Sequence, residues 1–334
     1  MGTTRAAADI SEEHGLICGF LIRGGTVTPV PWPGISAAMA QADGLVWLHF
    51  NLVDVRARQW IEAMPTLPRG GRQALLGQDS HFRLEPAGEE GLTGVLADLH
   101  HRFDDPAGGL GQLRIYMESR LVITARRQPL MAVDQLRRSI AQGLAPVSAV
   151  DLVAHLMFHL TDTVAAEVSE LADDVDDVED ALLADRLEDE GEKLGRIRRT
   201  SARLRRHLGP QRTALNVALG RMPHWCGGED RSRLRQGIDR LEGVSQDLDL
   251  VQERARLLQD ELSNRFSEAT NRNLYVLSIV TTILLPVNLI TGIFGMNVGG
   301  LPWSGHDAGF LWVCGVMIFT IVASLVVLHW RRLF

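Results

Sequence analysis

The sequence predicts an α/β cytoplasmic domain, then a long α-helical stalk, then two transmembrane helices. Three observations carry this. Short apolar runs of strand length are confined to residues 1–145. A proline-free stretch at 231–273 repeats apolar residues at steps of three and four. Two uncharged apolar runs, 274–294 and 309–328, end the chain, each close to the ~20 residues that a helix needs to cross a bilayer.

The N-terminal part alternates strand-like and helical stretches. GLICGFLI at 15–22, LVWLHF at 45–50 and LRIYMESRLVITA at 113–125 read as strands. The last breaks at Glu118-Ser119-Arg120 and reads as a hairpin. ARQWIEA at 57–63 reads as a helix between them. This region holds no phosphate loop, no dinucleotide fingerprint and no nucleophile elbow, so catalysis has no foothold.

Helical pattern resumes at 151–207. Its first part is dense in acid, SELADDVDDVEDALLADRLEDEGE, and RIRRTSARLRR at 196–206 is dense in base. The two stretches suit pairing as antiparallel helices, or the acids suit attraction of divalent cations. Gly209-Pro210 is expected to end the pattern. His155, His159 and Asp162 share one helical face at i, i+4 and i+7, a spacing that transition-metal sites use and that chance also produces.

From about residue 230 the stripe Leu234, Ile238, Leu241, Val244, Leu248, Val251, Leu258, Leu262 and Phe266 meets no cap before the apolar run at 274. One helix over 230–294 is the simplest reading, roughly 95 Å long. Core helices of soluble proteins rarely run so long without a charged face, so both apolar runs are expected to span a membrane. Arg265 and Arg272 precede the first span, and Arg331 and Arg332 follow the second. The loop between, 295–308, has no Lys or Arg, which places both termini in the cytoplasm and the loop outside. The organisation is then 1–145 (α/β), 146–229 (helical hairpin region), 230–294 (stalk and first span), 295–308 (external loop), 309–328 (second span) and 329–334 (basic tail).

The first span has a polar stripe. Asn271, Thr281 and Asn288 fall near one face, continued by Leu274, Leu277, Leu285, Gly292 and Gly295. An amide in hydrocarbon must face protein or water. Asn288 therefore either bonds a neighbouring helix or, with Thr281, offers oxygens to a passing hydrated ion. Two spans cannot enclose an aqueous path, so a channel needs several copies around an axis.

The formal net charge of -7 argues against a nucleic-acid partner. Cys18, Cys226 and Cys314 form no CxxC pair and suggest neither a zinc knuckle nor a disulfide framework. The N-terminus, MGTTRAAADISEEHG, has no apolar core and does not read as a signal peptide.

Gly295-Met296-Asn297, set between two such spans, resembles the signature of the CorA-type metal ion transporters, and the likeness extends over the whole chain. The full loop GMNVGGLPW, with PVNLITGIF at 286–294 and Trp47-Leu48-His49, is similar to the ZntB zinc-transporter branch rather than to the acidic loop of the magnesium branch. The resemblance implies a funnel-shaped homopentamer in a bacterial inner membrane, with the first span lining the pore and Asn297 ringing its outer mouth. It implies Zn²⁺ as cargo, with Cd²⁺, Co²⁺ and Ni²⁺ as further candidates, coupling to protons, and no resident prosthetic group. It leaves uptake and efflux both open. His306 and Asp307 lie at the same mouth as weaker metal candidates. Five neutral Asn297 amides would hold a hydrated ion loosely enough to release it, and Leu277 and Leu285 could form dry constrictions. A CorA-type Mg²⁺ or Co²⁺ channel and a two-span sensor are the alternatives.

Overall fold

The computed structural model describes residues 14–41, 43–79, 82–99, 110–186, 189–296, 302 and 308–330. Seven strands and eight α-helices are assigned among them: β1 (Leu16–Arg23), β2 (Thr26–Pro29), α1 (Ile35–Met39), β3 (Leu45–Asn51), α2 (Val55–Ala63), α3 (Arg69–Leu76), β4 (Arg83–Ala87), β5 (Gly91–Leu99), β6 (Leu110–Met117), β7 (Leu121–Arg126), α4 (Met131–Ala141), α5 (Ala149–Leu183), α6 (Glu190–Leu219), α7 (Gly228–Phe294) and α8 (Gly309–Trp330). The chain divides into two compact units, Met1–Leu258 and Gln259–Phe334.

In the first unit the strands form one sheet in the order β2-β1-β3-β7-β6-β5-β4. Among the described residues only β3 and β7 pair in parallel, and the neighbouring β6–β7 hairpin is the one expected at 113–125. The central strands are buried along nearly their whole length, because helices cover both faces. Val46, Leu48, Phe50 and Ile123 point into one core with Ile61 of α2 and Leu75 of α3. The opposite face is closed by α4 and α5.

Asp98 anchors α4 to this face. Its buried carboxylate accepts from the Ala132 backbone N–H at 3.1 Å and from that of Val133 at 3.4 Å. These are orphan donors of a helix first turn that has no side-chain cap of its own. β5 as a whole, GLTGVLADL, lacks the strand signature. Gly94 is required in it, since a Cβ there would sit 2.1 Å from the Arg83 carbonyl oxygen.

Helix α5 starts at Ser148, whose hydroxyl accepts from Asp151 N at 3.0 Å, while the Asp151 carboxylate accepts from Val147 N at 2.9 Å. This is a variant of the capping box in which the third-position Asp reaches the amide just before the cap residue. α5 and α6 pack as an antiparallel hairpin. The expected break at Gly209-Pro210 does not occur, and α6 runs through Pro210. Proline denies a donor to the Arg206 carbonyl, but Pro210 lies on the exposed face of the helix, where water can serve that carbonyl.

The second unit contains the end of α7 and all of α8. Both helices carry windows long and apolar enough to cross a membrane, and neither window is buried within the chain. α7 continues through Pro286 to Phe294.

Candidate functional site

The candidate path is one face of α7. Asn271, Leu274, Leu277, Thr281, Leu285, Asn288 and Gly292 all lie on this unbroken helix and fall within about a third of its circumference. All seven are exposed in the single chain, Leu277 and Leu285 at 61% and 62%. The half-buried residues Tyr275, Ile279, Ile283, Pro286, Ile290 and Phe294 take the other side. The polar stripe is thus part of the surface of α7 that the single chain leaves open, together with Val276, Val280, Leu284 and Leu289.

The Thr281 hydroxyl donates to the Leu277 carbonyl at 2.8 Å. Its proton is used inside the helix, and its remaining lone pairs face outward as acceptors. Pro286 lacks the N–H that would otherwise bond the Thr282 carbonyl, but that carbonyl lies toward the half-buried side and not on the stripe. On the stripe itself the side-chain oxygens of Asn271, Thr281 and Asn288 are the acceptors, which suits a cation.

Gly295 closes the helix, its N–H donating to the Thr291 carbonyl at 2.8 Å, and Met296 N follows to Ile293 O at 3.4 Å. A Cβ at 295 would meet the Thr291 oxygen at 2.9 Å, a separation that side chains do not tolerate without a shift. Glycine is therefore needed for the tight exit into the loop. Met296 is exposed. Asn297, His306 and Asp307 lie outside the described residues.

The metal-like spacing on α5 is used differently. His155 Nε2 lies 3.7 Å from Asp151, His159 Nε2 lies 3.3 Å from the Ser139 hydroxyl on α4, and Asp162 pairs with Arg240 of α7 at 2.5 Å. Partial burial holds the His159 imidazole below its ordinary pKa. Three residues that share a face are each engaged by a different neighbour. Among the described residues, no group of three or more His, Cys, Asp or Glu is placed to hold a metal ion.

Sequence reasoning missed the charge links between α7 and the hairpin. Arg233 lies 2.5 Å from Asp151, Arg254 lies 2.6 Å from both Asp176 and Glu179, and on α6 Arg212 reaches Glu242 at 2.8 Å and Arg205 reaches Asp249 at 3.5 Å. The signal was present as an acidic run on α5, a basic run on α6 and mixed charge on α7, but sequence does not say which helices meet. Trp47-Leu48-His49 is a brace in the sheet. Trp47 Nε1 donates to the Thr124 hydroxyl at 2.9 Å, and His49 Nδ1 lies 2.9 Å from the same oxygen. Complete burial, helped by the Arg126 charge, holds His49 neutral, far below its usual pKa. Burial likewise pushes the Cys18 thiol, its cross-strand neighbour, up to about 12.

An α/β domain and helical hairpin followed by two apolar helices are the build of a two-span membrane transporter, and comparison with known families fixes the class as divalent-cation transporters of the CorA/ZntB type. The family described as CorA-like Mg²⁺ transporter protein matches residues 42–332, and the chain belongs to it. Divalent cation transporter CmaX of Pseudomonas aeruginosa is 31% identical over 310 residues, covering 92% of this chain and 93% of that protein. Zinc transport protein ZntB of Yersinia enterocolitica is 28% identical over 286 residues, covering 85% and 86%. The structure of full-length CmaX superposes with a TM-score of 0.82 over 97% of this chain and 99% of that one, at 31% identity. The CorA magnesium transporter from Methanocaldococcus jannaschii gives 0.75 over 94% and 98%, at 19% identity, a likeness of fold.

Proposed function

We propose that the chain is the subunit of a homopentameric pore that takes up Zn²⁺ across a bacterial inner membrane, with both termini cytoplasmic and flux coupled to protons. The observation that carries the reading is the exposed, acceptor-rich face of α7, which ends at Gly295-Met296. Copies arranged around an axis would turn that face inward and cover it. Asn271, Thr281 and Asn288 would meet the ion's water shell. Leu274, Leu277 and Leu285 would narrow the path, and Gly292 would leave room at the top. Gly295 and Met296 would set the Asn297 amides at the outer mouth, where a hydrated ion is held weakly enough to leave.

Zinc is favoured by the GMNVGGLPW loop and by similarity to a protein described as a zinc transporter. Magnesium is the competing cargo, because the family is described by that ion. No Asp, Glu or His lies in either span, so protons would have to travel along pore water or engage groups outside the membrane.

The test is ion uptake into liposomes containing the purified full-length protein, comparing Zn²⁺ with Mg²⁺, each with and without a pH gradient. Zinc entry that accelerates when the zinc-containing side is acidic supports the reading. Magnesium entry indifferent to pH replaces it with a channel of the magnesium type.

A further inference from the structure

The end of α5 and the start of α6 enclose a cleft of about 670 Å³, lined by five carboxylates, Asp177, Asp180, Asp185, Asp189 and Glu190, against two cations, Arg186 and Lys193. The chain makes this cleft by closing α5 with a Schellman turn. Arg186 N–H donates to the Ala181 carbonyl at 2.9 Å, and Asp185 N–H donates to that of Leu182 at 3.2 Å. Asp185 takes the left-handed conformation that the turn needs, with φ of 57°, which Asp tolerates through its short polar side chain. The reversal lays the first acids of α6 beside the last acids of α5.

Two features of the cleft call for a cation from outside the chain. The first is Glu190. Its side chain is only 9% exposed, and Oε1 lies 3.5 Å from Lys193 Nζ. Oε2 is buried and receives no hydrogen bond from the chain. A buried carboxylate oxygen without a donor is costly. The second is the position of Asp177 and Asp180. They stand in the last two turns of α5, whose final turn holds no basic residue, so they face the negative end of the helix dipole. Both are exposed and, like Asp189, take part in no ion pair among the described residues.

The acids are spread out. A metal ion needs ligands that converge on one point, and no three acidic groups do so among the described residues. Asp177 and Asp180 are i, i+3 neighbours, about 5–6 Å apart at their Cβ atoms, and Asp189 and Glu190 approach from the other helix. Carboxylates set apart in this way fit a ligand whose positive charges are also set apart. We propose that the cleft binds a linear polyamine, a chain of ammonium groups joined by short methylene spacers. One ammonium donates to Glu190 Oε2, and another lies between Asp177 and Asp180. The methylenes cross Ala181, the apolar residue of the lining. No residue of α7 lines the cleft among those described, so the site is separate from the transport path proposed above.

Isothermal titration of spermidine into the full-length protein in detergent, at about 0.15 M salt, tests this. One saturable site per subunit is expected, with no saturable binding of butylamine, which carries a single ammonium. E190Q should weaken spermidine binding about tenfold, and D177N/D180N about fivefold. K193Q removes the competing ammonium and should tighten binding about threefold. E62Q/D239N removes as much charge as D177N/D180N, from exposed acids outside the cleft, and should leave binding unchanged. Equal weakening by E62Q/D239N would mean that spermidine answers only to overall charge, which overturns the site. Binding unchanged in both E190Q and D177N/D180N would place spermidine elsewhere, the transport path included, and overturns it too. Mg²⁺ that binds more tightly than spermidine and is lost in D177N/D180N would replace the polyamine with a metal ion. Wild-type protein without saturable spermidine binding ends the proposal.

Discussion

Both carboxylate oxygens of Asp98 lie 3.1 Å from the backbone nitrogen of Ala132. A strand residue thereby caps a helix 34 positions away and fixes where α4 lies on the sheet. Burial pushes the Asp98 carboxyl up to about 6, and Asp134 adds to this, against the pull of the Ala132, Val133 and Leu99 amides. A carboxyl raised in the folded state contributes stability below its unfolded pKa and loses it as pH rises through the folded value. Replacing it with the neutral amide in Asp98→Asn should therefore help progressively more between pH 4 and pH 6. The difference in unfolding free energy between variant and wild type should shift toward the variant by about 2–3 kcal/mol over that window. Paired denaturation curves of the full chain at several pH values measure this, and a pH-independent difference would mean that Asp98 stays ionised throughout.

Gly295→Ala should impair flux without altering the amount of assembled protein. The added Cβ falls 2.9 Å from the Thr291 oxygen, and relieving it by opening the last turn costs about 1 kcal/mol. The exit of the chain toward Asn297 then changes direction. Liposome uptake normalised to protein content is the measurement, and wild-type rates in the variant would remove the role assigned to this turn.

Asn297→Ala should abolish or greatly reduce transport while the native mass of the assembly is unchanged. The amide ring is proposed to hold an ion through its water shell, and alanine offers neither oxygen nor reach. Normal uptake by this variant would show that selectivity is set elsewhere along the path.

Thr281→Val preserves shape and removes the outward acceptor. Losing one hydrogen-bonding contact of about 1 kcal/mol along the path should slow cation flux about fivefold. The variant also loses the bond to the Leu277 carbonyl, so helix content by circular dichroism should be recorded beside the rate. A rate loss with unchanged helicity supports a path along this face, and an unchanged rate directs attention to another face of α7.

Much of the architecture could be read from the residues because it rests on apolar continuity. β1, β3, the β6–β7 hairpin, α7 and both apolar terminal helices each announce themselves by an uninterrupted run or a steady period. β5 does not. Its Gly94 and Asp98 look like loop residues, and the reasons for them are tertiary: one meets the Arg83 backbone and the other caps α4. That Asn271, Thr281 and Asn288 share one side of α7 was legible from spacing, since the helix is unbroken. The fates of His155, His159 and Asp162 were not, because spacing along one helix cannot say that Ser139 and Arg240 dock beside it. Pro210 misled for a related reason, since whether a helix survives a proline depends on what the freed carbonyl faces.

The inward bond of Thr281 has a consequence for solvent. A hydroxyl that has committed its hydrogen to the Leu277 carbonyl can only receive hydrogens from water. Water beside it would turn its hydrogens to the wall and its oxygen toward the centre of the path. Solvent polarised in that sense welcomes a positive ion and repels chloride, so this level of the path would discriminate by sign of charge without any formal charge on the protein.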